Sequence, residues 1–154
     1  MADDQPGAAL SDADIARTSV PTIVKVAAAI WGFEGFLLLV FALQQFMVSW
    51  PGALGVVPYV IVGAGVVSLL VAIWLYKLRR WSVALAMPWG IAAALLTIGW
   101  FVTCLTMGVV SLLGLIVCTG AVGGFVLTTI SLPRARVVLA TRAKLRRDGL
   151  EFGF

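Results

Sequence analysis

Four stretches of this chain are apolar for about the length of a membrane crossing, and the links between them are too short to build anything else around them. A helix of roughly 20 apolar residues spans the hydrocarbon core of a bilayer. The stretches are 22–47, 56–78, 81–103 and 109–132. Composition agrees, because 62% of the 154 residues are hydrophobic and only 12% are charged, far from a soluble domain. The fold class expected is all-α: a polytopic four-transmembrane-helix bundle, residues 20–132, between two tails (1–19 and 133–154) too short to hold a core of their own.

The charges outside these stretches are segregated. Asp3, Asp4, Asp12 and Asp14 make the first tail acidic, and with no basic n-region ahead of the apolar run it is not expected to be a secretory signal. Arg134, Arg136, Arg142, Lys144, Arg146 and Arg147 make the last tail basic. Lys77, Arg79 and Arg80 fill the link between the second and third spans, whereas the other two links carry no charge. The positive-inside rule then places both termini and the central link in the cytoplasm, and the expected location is the inner (cytoplasmic) membrane. Nothing interleaves aromatics with basic residues as a nucleic-acid binder would.

Along the chain, Thr18 and Ser19 are candidate caps for a first helix with Pro21 in its opening turn. Lys25 is placed to snorkel toward headgroups. Trp50 is an interfacial anchor at a Trp-Pro-Gly turn, and Pro88 is a kink point in the third span. Gly114, Gly120 and Gly124 make the fourth span rich in small residues. Gly120 and Gly124 form a small-xxx-small pair, a packing feature within the chain or a dimer seam. Read as a helix, residues 133–150 put Val137, Val138, Thr141 and Leu145 on one side. Such a helix lies on the inner surface with its basic residues on anionic headgroups, or is a solvated stop-transfer tail, or is covered by the acidic N-terminal tail.

One residue breaks the apolar rule. Glu34 stands near the middle of the first span, where an acid costs roughly 2.5–3.5 kcal/mol on insertion scales. No Lys, Arg or His falls at its depth; Ser68, Cys118 and Thr119 do. Gln45 lies eleven residues on, three helical turns, and shares its stripe with Ala27, Leu38 and Phe41. Glu34 and Gln45 are therefore the candidate intramembrane proton or partner site. Three readings stay open for Glu34: a proton-binding group in a carrier, a protonated acid hydrogen-bonded to a neighbouring helix, or a contact with another subunit.

With no His and two cysteines, the chain has no His-ligated haem and no usual zinc set, and no metal or other cofactor is expected. Cys104 and Cys118 fall at different depths and read as packing residues. Trp31 and Trp89 sit deeper than the remaining tryptophans, as packing or as cavity lining. No nucleophile–base pair or phosphate loop is present, so an enzyme is not expected.

Glu34-Gly35 followed by leucines, Arg79-Arg80-Trp81 and Leu132-Pro133-Arg134-Ala135-Arg136 together resemble a pattern in small four-helix membrane proteins of actinobacteria, mostly without assigned function. Glu34 in the first of four helices is also similar to the small multidrug resistance transporters, whose first helix carries one essential glutamate. That resemblance implies Glu34 as a proton and substrate site. The expectation carried forward is a non-enzymatic accessory or assembly subunit of a larger membrane complex, bound to other membrane subunits or to itself. The alternative is a proton-coupled transporter acting as a homo-oligomer through Glu34.

Overall fold

The computed structural model describes residues 18–47, 55–106, 108 and 112–147. They form four helices: α1 (Thr22–Phe46), α2 (Val57–Tyr76), α3 (Arg80–Thr106) and α4 (Leu112–Arg147). All four are long and apolar enough to cross a membrane. The acidic residues of the N-terminal tail, the Trp50 turn and residues 148–154 lie outside the described residues, as does the side chain of Cys104.

The bundle is apolar outside as well as in its core, and a few polar side chains are buried within it. Its outer face carries Phe33, Phe36, Leu43, Leu95 and Leu96, while its interior holds Ser68, Ser82, Thr128, Ser131 and Glu34. Large apolar surface turned outward on every helix suits hydrocarbon and would aggregate in water. Small interior residues let backbones approach. A Cβ on Gly35 would lie 2.8 Å from the Gly65 carbonyl, and one on Gly65 would lie 3.0 Å from the Gly35 carbonyl. These reciprocal glycines make α1–α2 the most extensive helix pair; α1 also packs on α4 and α4 on α3, and α2 and α3 meet least.

One end of the bundle is plugged. Val24, Leu78, Val83, Ala135 and Val138 form a buried cluster where the start of α1, the α2–α3 turn and the far part of α4 meet. The turn is a Schellman closure: Arg79 N–H donates to the Trp74 carbonyl at 3.3 Å, and Leu78 N–H to that of Leu75 at 3.0 Å. Leu78 takes the left-handed position at φ 47°, usually glycine's. Its side chain is buried in the plug, which offsets the roughly 1–2 kcal/mol of backbone strain. Trp74 and Trp81 pack across the same turn, ring centroids 3.8 Å apart and planes tilted by 58°.

Three expectations need correction. The N-cap position of α1 is Pro21 rather than Thr18 or Ser19, and the Pro21 carbonyl accepts from Val24 N–H at 2.9 Å. Instead the Thr18 carbonyl is held by Arg142, whose Nε and Nη2 donate at 2.9 and 2.7 Å. Second, the helix of the fourth span does not end at Leu132: α4 runs through Pro133 to Arg147. The ring removes one backbone bond, but Ala135 and Val138 are anchored in the plug. The tail to Arg147 is therefore an extension of the last helix, clamped under the bundle. Third, Val137 is not on the packed side; it is 66% exposed. The buried stripe follows Ser131, Ala135 and Val138, at the three- and four-residue steps of a helix.

Candidate intramembrane site at Glu34

Two large residues of α1 meet two glycines of α4. Trp31 and Glu34 are three residues apart, and Gly120 and Gly124 four apart, so each pair lies along one helix face. The Trp31 ring lies on Gly124, where an added Cβ would stand 3.1 Å from its Cε2. Its indole N–H donates to Thr128 Oγ1, one turn further along α4, at 2.9 Å. Glu34 Oε2 occupies the place a Cβ would take on Gly120. Thus the small-xxx-small pair is filled from within the chain, and Gly120 is the seat of the carboxyl.

Glu34 is 1% exposed, and neither carboxyl oxygen has a hydrogen-bond partner. It is the only acidic side chain among the described residues. Buried polar groups are nearly always bonded, and one that is not calls for an explanation. The polar groups at similar depth make bonds of their own. Ser68 accepts from Trp89 Nε1 at 3.1 Å, and Thr119 is exposed and donates to the Leu115 carbonyl at 2.9 Å. Thr97 donates to the Ala93 carbonyl at 2.8 Å, and Cys118 Sγ to that of Thr97 at 3.1 Å. Among the described residues no group bonds to either carboxyl oxygen.

Instead Glu34 lines a cavity of about 230 Å³. Leu38 and Phe41 of α1, Ala64 of α2, Trp89 and Trp100 of α3 and Val117 of α4 are among its walls. The cavity occupies the half of the bundle away from the plug, and Glu34, Ala64, Trp89 and Cys118 mark its inner limit. Beyond that limit Trp31 and the Trp31–Thr128 bond close the way. Phe41 and Trp100 meet edge-on at 6.4 Å, so the wall facing the acid is aromatic. Around the carboxyl, α1, α2 and α3 present no other charged or titratable group to the cavity, and α4 presents the Cys118 thiol.

Of the residues singled out from sequence, Glu34 and Gly120 meet, with Gly114 at the cavity's far end. Gln45 is not brought to the acid: it is half-buried three turns away and does not line the cavity. Trp31 is core and Trp89 is wall. Arg134, Arg136, Lys144, Arg146 and Arg147 are exposed along the α4 extension, whereas Arg142 is turned onto Thr18. Phe41 and Leu38, on the Glu34 stripe, do line the cavity, whereas Thr97 and Trp100 were not singled out for the site. Their only signal was depth in the span, which does not say which face looks inward.

No family model matches the chain, and neither a curated protein nor a solved structure matches it. The four-helix resemblances rest on the residues quoted for them.

Proposed function

We propose that this is a multi-pass protein of a bacterial cytoplasmic membrane that takes a small, mostly apolar solute into the bundle, with Glu34 as its proton-exchanging group. The observation that carries this reading is a buried carboxyl with two unpartnered oxygens lining a cavity. A structural acid is held by hydrogen bonds, whereas an unpaired one at membrane depth is costly and marks a functional pathway. By the positive-inside rule the plug, with Lys77, Arg79 and the basic α4 extension, faces the cytoplasm. The cavity then occupies the outer half. Transport requires the Trp31–Thr128 closure and the plug to part in turn, and without that the protein is a binding or sensing module.

An accessory-subunit role drew on the small size of the chain, its lack of catalytic groups, the glycine-rich fourth span and an unpaired Glu34. Because α1 and α4 of the same chain enclose Glu34, the site itself is the better guide. The exposed basic residues of α4 are proposed to rest on anionic headgroups, at about 1 kcal/mol each.

The test is infrared spectroscopy of the full chain in lipid vesicles across a pH series. A protonated-carboxyl C=O band that disappears as pH rises, and that Glu34→Gln removes, supports the reading. A spectrum unchanged by that substitution refutes it.

A further inference from the structure

The cavity's chemistry limits what can occupy it. Glu34 supplies its only acid, no cation lines it, and Trp89, Thr97 and Cys118 direct their polar hydrogens at protein acceptors. An anionic solute would bury its charge with no cation in the lining to neutralise it. A solute with several polar groups would leave most of them unmatched against apolar wall, at about 1–3 kcal/mol each. What fits is an apolar body with a single basic end.

The two orphaned oxygens refine that end. Both are acceptors once the acid gives up its proton, and a buried acceptor is satisfied only by a hydrogen on N or O. A quaternary ammonium brings charge without such a hydrogen; a primary or secondary amine brings two or more. The aromatic rings of Trp89, Trp100 and Phe41 add a favourable surface for the cation's apolar flank. Size sets the rest. Benzene fits an engineered cavity of about 150 Å³, so about 230 Å³ admits one ring carrying a short aminoalkyl arm.

We propose that the cavity between α1, α2, α3 and α4 binds a small apolar primary or secondary amine, its nitrogen on Glu34 and its body between Trp89, Trp100 and Phe41. This rests on the reading of Glu34 as a proton-exchanging group. A neutral amine crossing the lipid meets the protonated acid. The carboxyl O–H bond breaks and an N–H bond forms, giving an ammonium that donates back to the carboxylate oxygens. Proton and charge balance within the pair.

Benzylamine is the probe, with benzyltrimethylammonium and toluene as its permethylated and neutral counterparts, added to the full chain in lipid vesicles. Tryptophan fluorescence reports cavity occupancy, and the infrared C=O band reports the acid. Saturating benzylamine is expected to shift the fluorescence and to bleach the band. Benzyltrimethylammonium should bind about tenfold or more weakly, the equivalent of one lost charged hydrogen bond. Toluene should shift fluorescence and leave the band. Ala64→Phe, which keeps the acid and fills the cavity, should keep the band and lose benzylamine. It also covers the case in which Glu34→Gln fails to fold. A band that titrates with pH but ignores saturating benzylamine overturns the amine assignment and leaves the proton site standing. Absence of any Glu34 band overturns both. Equal affinity for benzylamine and its permethylated counterpart overturns the hydrogen-bond argument.

Discussion

Replacing Glu34 with methionine should make this protein more stable. The carboxyl is buried, lies against Gly120 and has no hydrogen-bond partner at either oxygen. A neutral polar group buried in that state costs about 1–3 kcal/mol. Methionine is similar in length and flexible enough to fill the same notch, so it removes that cost without opening a cavity. The expected gain is therefore about 1–3 kcal/mol, which for a chain of this size is a rise in melting temperature of roughly 2–10 °C. Glu34→Gln is the control: an amide in the same place also lacks partners, and its stability should stay within about 1 kcal/mol of the parent. Thermal unfolding in a mild detergent, followed by tryptophan fluorescence, measures both. Loss of more than about 1 kcal/mol in the methionine variant would mean that the acid is a bonded structural element, and the argument from an orphaned carboxyl would fail.

Gly120→Ala should leave the fold standing, since the atom in its way is the far end of a flexible side chain; it should displace the carboxyl, seen as a shifted C=O band. Gly35→Ala should do the opposite. Its Cβ would meet α2 backbone and the Leu69 side chain at 2.8–2.9 Å, so the helices must part, at about 1–3 kcal/mol by thermal unfolding. Gly63→Ala meets nothing within 4 Å and should be neutral or stabilising by up to about 1 kcal/mol. Arg142→Ala removes the clamp on the Thr18 carbonyl and should cost about 1 kcal/mol, with faster hydrogen exchange confined to the first turns of α1.

The helices were legible because their signal is local: a long apolar run needs no knowledge of its neighbours. Glu34 was legible for the same reason, as the one acidic residue in such a run. The length of α4 was not. Pro133 and the following arginines look like a stop, and only the burial of Ala135 and Val138 against α1, the α2–α3 turn and α3 explains why the helix continues. Val137 was assigned to the wrong side because a short tail with few apolar residues allows several registers. Gly120 was visible as a small residue, but its service to Glu34 depends on which α1 face meets α4, a tertiary fact. Gln45 fell away in turn: a shared stripe gives direction, and three turns of helix then separate the two side chains by about 16 Å along the axis.

The central claim is that a reactive, unpartnered acid lies within reach of an apolar solute at membrane depth. A hydrophobic carbodiimide, which adds to protonated carboxyls in apolar surroundings, tests it most directly when the chain in lipid vesicles is treated and its peptides are mapped by mass spectrometry. Modification of Glu34, slowed by benzylamine, is the predicted result. An unmodified Glu34 in a chain whose tail carboxylates have reacted would contradict the account.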